Sequence, residues 1–265
     1  MVFRDNLHAA HARLSDAEEE AEFLREEVSR LRDENAKIRV ALDEEAGAAA
    51  LAALVAVARF APPTPDAPAA LTTGQVAGLT SGQIVALTTG QVAALTTAQI
   101  AAMPATSVAK LETADIAALG TGQVAAFGSA QVAALTTAQV AAIETADLAA
   151  LTTAALKGLT TAQVPALTTA QVGALTTAQV ASIASTLVGK LGTAQVVALT
   201  APAITALTTA QMGALTTAQI SALTTTQIAA LETVDIKALS TAQVAAFTTS
   251  QIGAMSSAQV NALFL

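Results

Sequence analysis

The chain has 265 residues, 53% of them hydrophobic but only 2% aromatic, with no Trp and no Tyr. It is long enough for a sizeable core and poor in the bulky side chains of an ordinary globular one. No cysteine is present, which removes disulfide and thiolate chemistry, and a net charge of −8 leaves no electrostatic footprint for nucleic acid.

Charge is concentrated at the start, where residues 1–70 hold 14 of the 20 acids and 8 of the 12 basic residues. Residues 1–45 fit a heptad repeat. Leu7, Leu14, Ala21, Val28, Asn35 and Leu42 fall at a, and Ala10, Ala17, Leu24, Leu31 and Ile38 at d, with Glu and Arg flanking. A coiled coil is expected, as a homo-oligomer. Asn35 favours a parallel, in-register dimer over a trimer, because its amide can pair with its own copy. The competing reading is a single surface helix packed on its own chain. His8 and His11 lie at a metal-binding spacing, but no cysteine or third histidine completes a site.

Residues 46–61 read as an Ala-rich helix that caps the open end of the repeats, and residues 62–70, with Pro62, Pro63, Pro65 and Pro68, as a stiff linker. The longest uncharged apolar run, 46–58, has 13 residues, against the roughly 18–20 a membrane span needs. The opening residues MVFRDNLHAAHARL contain no apolar signal core. A cytoplasmic location is therefore favoured, with the cell surface or an assembled extracellular structure as the alternative.

From Leu71 an apolar residue returns every eight positions without insertion or deletion as far as Leu263, which makes 24 consecutive octads over 71–265. A second apolar residue follows five positions after each. One continuous helix is excluded arithmetically: eight residues advance about 800°, so each apolar pair turns about 80° from the last. The helix must restart once per octad.

In Leu-Thr-Thr-Ala-Gln-Val the first Thr serves as N-cap with Gln at N3, a capping box, and the flanking Leu and Val form a hydrophobic staple. Thr72 with Gln75, Thr96 with Gln99 and Thr136 with Gln139 are the representative caps. Position two is Ser or Thr in 16 octads and Gly in three more. Position three, Ser or Thr in 22 octads, is the competing cap where position two is Glu112, Glu144 or Glu232. In those octads Asp115, Asp147 and Asp235 replace Gln. Pro165 argues locally against a helix, while Pro202 falls in a first turn, where proline is tolerated. The expected fold is an all-α solenoid of short helices, each about five or six residues. A β-solenoid is the alternative, since Thr and Val favour strands. The number of octads per coil stays open. Residues 111–127 also match 231–247 at an offset of 120 residues, or 15 octads, which points to growth by block duplication.

The octads resemble the LTTAQV/LTTDQI-type repeats of long bacterial surface and adhesin-like proteins, a resemblance that covers 71–265 and implies no defined activity. Residues 175–185, LTTAQVASIAS, resemble the opening helix of a TAL effector repeat, but that family repeats every 34 residues or so and this chain every eight; shared helix-start chemistry explains the likeness. No phosphate loop and no Ser-His-Asp or Cys-His set exists. No catalytic, cofactor-binding or metal residue is assigned. The acid pairs fit helix caps better than calcium or acid–base chemistry.

These features lead to a non-catalytic structural protein: a rigid solenoid fibre or scaffold, oligomerised by its coiled coil and able to form filaments. The alternatives are an adhesin or scaffold whose Thr/Gln face docks a protein or glycan, and an ice-binding array of Thr rows.

Overall fold

The computed structural model describes residues 71–264 and, before them, Arg30 alone. The chain divides into two units, Met1–Phe60 and Ala61–Leu265, and the octads fill the second. The heptad positions Leu7, Leu14, Leu24, Val28, Leu31, Asn35, Ile38 and Leu42 lie outside the described residues, as do the Ala-rich segment and the linker.

Each octad is one short helix and one corner. The helices run four to six residues, as in Thr97–Ala102, Thr121–Ala125 and Thr145–Ala150, and no strand occurs among the described residues. The fold is an all-α solenoid. The N-cap of each α-helix lies at position two and is extended, for example Thr96 at φ −74°, ψ 159°. Position one is extended as well after the six-residue helices that lead into another octad helix, as at Met103 and Leu119. At those corners two extended residues end one helix and aim the next. No residue among those described has a positive φ, so the corners need no glycine.

Three octads make one coil. Thr73–Ala77 packs on Thr97–Ala102, Thr121–Ala125 on Thr145–Ala150, and Thr193–Ala198 on Thr217–Ala222, always 24 residues apart. The 120-residue duplication therefore equals five complete coils. A block of that size can be inserted without rotating any side of the solenoid onto another.

The interior is built from positions one and six. Leu95, Leu111, Leu119 and Leu135 are buried, and Val76, Ile100, Ile116, Val124 and Val140 are sealed completely. Burying such a side chain contributes about 1.5–3 kcal/mol. That burial has to carry the fold, because helices of this length are unstable alone. Positions two, three, four and seven face outward, mostly as Thr and Ala.

Position two is the N-cap even where it is Glu112, Glu144 or Glu232, with Thr113, Thr145 and Thr233 already inside the helix. The competing register at position three is not used. Pro165 has its expected local effect: residues 164–166 form a 3-10 turn where other octads are α-helical. Pro202 sits in the first turn of Ala201–Thr205.

Candidate functional site

The octad's chemistry converges on position five. Gln fills it in 17 octads, and Glu in none. In all 17, the Gln Oε1 accepts the backbone N–H of its own N-cap residue at 2.6–2.9 Å. Where the cap is Thr or Ser, its hydroxyl can accept the Gln N–H in return. These bonds are 3.2 Å for Gln75 to Thr72, Gln99 to Thr96 and Gln139 to Thr136. The capping box is thus closed from both directions.

With Oε1 turned to the cap, the amide nitrogen points to the preceding coil. From Gln99 onward, every Gln Nε2 donates to the position-one carbonyl 28 residues earlier, at 2.5–2.8 Å. From Gln123 onward it also reaches the position-six carbonyl 31 residues earlier, at 2.7–3.4 Å. Carbonyls at the end of a helix have no intrahelical donor, and the position-one carbonyl receives no backbone N–H. One side chain therefore closes the start of its own helix and the end of a helix one coil below.

This corrects the outward Thr/Gln face expected from sequence. The ladder glutamines are interior, with Gln99, Gln139, Gln171 and Gln179 all but sealed. The outer surface is Thr, Ser and Ala, crossed by exposed position-three Thr residues such as Thr97, Thr121 and Thr145, one coil apart on one side. Lys110, Lys157, Lys190 and Lys237 are exposed and scattered. No group of three or more His, Cys, Asp or Glu that could hold a metal occurs among the described residues. No helix there is long and apolar enough to cross a membrane.

Seven octads lack Gln. Ser107, Ala155, Leu187 and Ala203 interrupt the ladder with side chains that reach no carbonyl below, and Asp115, Asp147 and Asp235 interrupt it with acids. Asp115 still accepts the Glu112 N–H at 3.0 Å, but a carboxylate has no N–H to pass on. Asp147 is buried and its Oδ2 has no partner. By the ladder's offset, the carbonyls facing it are those of Ile116 and Leu119. Asp147→Gln should supply the missing donor and stabilise the solenoid by about 1–2 kcal/mol, one or two net hydrogen bonds. A thermal melt that moves down, or stays put, would contradict that assignment.

Asp235 is buried too, and its carboxyl is pushed above the ordinary 3.8, first by burial and then by the neighbouring Glu232. The folded chain therefore holds this proton more tightly than the unfolded chain. Its stabilising contribution is complete below 3.8 and is lost as pH rises through the raised folded value. Asp235→Gln removes that loss, so the urea midpoint of the variant should pull ahead of the parent as pH rises from below 3.8 to neutral. A gap constant with pH would refute it. The Gln also adds its own ladder bonds, but their gain does not vary with pH.

Fold and ladder together define a helical repeat protein of three octads per coil, locked by an internal glutamine network. The ALTTAQ repeat family matches residues 69–104, 108–142, 140–177, 188–225, 204–233 and 228–264, and the chain belongs to that family. Neither the curated proteins nor the solved structures gave a match. The gaps in the family match, 105–107 and 178–187, fall on or beside the octads MPATSVAK and IASTLVGK, both of which lack the ladder Gln.

Proposed function

We propose that this chain is a non-catalytic structural repeat protein, a stiff spacer or scaffold whose residues 1–45 bring copies together as a parallel coiled coil. The observation that supports this most strongly is the glutamine ladder. It ties each coil to the one before it through buried hydrogen bonds, and such bonds rigidify a fold because breaking them strands buried polar groups. Among the described residues the outer surface carries no concentration of charge, and Phe127 and Phe247 are buried, so that Phe264 alone of the three aromatic side chains there is exposed; its repeated small residues suit a spacer better than a reader of sequence or sugar. A surface-exposed or adhesin role would have to act through the Thr rows.

Sedimentation equilibrium of the full chain tests the oligomer. The parent should be a dimer, and Leu24→Asp with Leu31→Asp should shift it toward monomer by placing charge at two d positions. A parent chain with the same mass as the double variant at every concentration removes the coiled coil from this reading.

A further inference from the structure

One side of the solenoid carries a ladder of glutamines broken at a single residue. Gln99, Gln123, Gln171, Gln195, Gln219 and Gln243 stand one coil apart except where Asp147 takes the place of one. Each ladder amide sits in a bowl of main-chain carbonyls from the preceding coil. Besides positions one and six, eight of the glutamines reach the position-seven carbonyl, at 3.1–3.4 Å. At Asp147 the same offsets place the carbonyls of Ile116, Ala117 and Leu119 in the bowl, since Thr145–Ala150 packs on Thr121–Ala125 like the other stacked helices.

An amide N–H₂ donates into that bowl; a carboxylate cannot. Asp147 is 3% exposed, and its Oδ2 is sealed and makes no hydrogen bond. Four oxygen acceptors therefore converge with no donor between them. The octads stacked at that level, 119–126, 143–150 and 167–174, contain no lysine or arginine, and their only charged residues are Asp147 and the exposed Glu144. An unpartnered buried carboxylate is costly, and buried charges in proteins are as a rule paired or bound to a cation. Distance favours an ion over a direct bond. Asp is shorter than Gln by one carbon, about 1.5 Å, which sets its oxygen back to about 4 Å from the carbonyls. That is beyond hydrogen-bond reach, but it suits oxygens that share a hard cation at about 2.3–2.6 Å each.

We propose that Asp147 and the carbonyls of Ile116, Ala117 and Leu119 bind a sodium ion between the coils, in the place that an amide fills elsewhere. Calcium takes about six to eight oxygens and carries twice the charge; four oxygens with one negative charge match a monovalent ion. The ion neutralises the carboxylate and gives the carbonyls the positive partner that Nε2 provides at the other rungs. The site needs only the solenoid and goes beyond the spacer reading, because it makes the stability of this junction depend on the cation in the medium.

Thermal melts of the full chain in sodium chloride and in choline chloride at equal concentration test this, with Asp147→Asn and Asp147→Gln beside the parent. Choline is too large for a sealed site. The parent should melt about 3–6 °C higher in sodium, the shift of a site filled to roughly ten times its dissociation constant. Both variants should lose that difference, Asp147→Asn because it has no charge to hold the ion and Asp147→Gln because its amide occupies the bowl. The gain expected of Asp147→Gln is therefore largest in choline chloride and shrinks in sodium chloride. Sodium NMR should show a line broadened by the parent and restored to the width of free sodium with Asp147→Gln. Asp115→Asn is the control: its parent carboxylate already accepts the Glu112 N–H, and the variant should keep the whole sodium effect. All these chains share residues 1–45, so assembly through them cancels in the comparison. A parent indifferent to the choice of cation overturns the proposal and leaves the bowl to a water molecule. A sodium effect common to the parent and both Asp147 variants overturns it too, as does its loss in Asp115→Asn.

Discussion

Gln171→Ala is expected to destabilise the solenoid by about 3–5 kcal/mol, far more than the loss of a surface amide. Gln171 is 1% exposed. Its Oε1 takes the Thr168 N–H at 2.8 Å, and its Nε2 gives bonds to Val140 at 2.9 Å and Ile143 at 2.7 Å. Truncation leaves the Thr168 N–H and the Ile143 carbonyl without a partner, at about 1–3 kcal/mol for each such group, and takes one of two donors from the Val140 carbonyl, which keeps the Ile143 N–H. Partial relaxation and water entry keep the total below the simple sum. For a unit of this length that corresponds to a fall in melting temperature of roughly 10 °C, at about 2–4 °C per kcal/mol. Gln75→Ala is the control. Its nitrogen has no acceptor among the described residues, so only the cap bond is lost, about 1 kcal/mol. Equal losses at the two positions would show that capping alone, and not the bond between coils, explains the regular spacing of Gln along the chain.

The octad's local grammar is legible in the sequence because it acts over three or four residues. Thr96 and Gln99 close a box, Leu95 and Ile100 staple it, and a period of eight forbids a continuous helix; none of this needs a partner from elsewhere in the chain. The coil closes after three octads for a reason outside that grammar. Closure depends on the backbone angles at the extended corner, such as Thr96 and Met103, and side-chain pattern does not report them. The second role of Gln was hidden for another reason: the capping box already accounts for the residue. One signal does betray it. At N3 of a helix the macrodipole favours Glu over Gln, yet position five holds 17 glutamines and no glutamate. An uncharged amide used so consistently where an acid would serve the cap better means that the N–H₂ is needed too. The length of the duplicated block carries the same kind of message: 15 octads is a whole number of coils, and a solenoid of four or two octads per coil would have been left out of phase by it.

Gly158→Ala is expected to cost about 3 kcal/mol, and the reason is space rather than backbone freedom. Gly158 has no positive φ, and its N–H donates to the Ala155 carbonyl at 2.9 Å as at an ordinary helix end. A Cβ placed there would overlap the Ser129 carbonyl oxygen and lie 2.8 Å from its carbon and 2.9 Å from its Cα. All three are main-chain atoms of the coil below, so no side chain can swing away, and overpacking of that kind costs about 1–3 kcal/mol, occasionally more. The same octad has Ala155 in place of the ladder Gln, so it reaches no carbonyl below through position five. Close main-chain approach takes over the contact that the amide makes elsewhere. Gly90 provides the opposing case. It lies within Thr89–Ala93, and a Cβ added to it would meet nothing within 4 Å. Gly90→Ala should therefore stabilise by about 0.4–1 kcal/mol through helix propensity and a less free unfolded chain. Melting both variants beside the parent decides the matter. Opposite signs place the coil-to-coil approach at Gly158, whereas two stabilised proteins would mean that the coils there have room to separate.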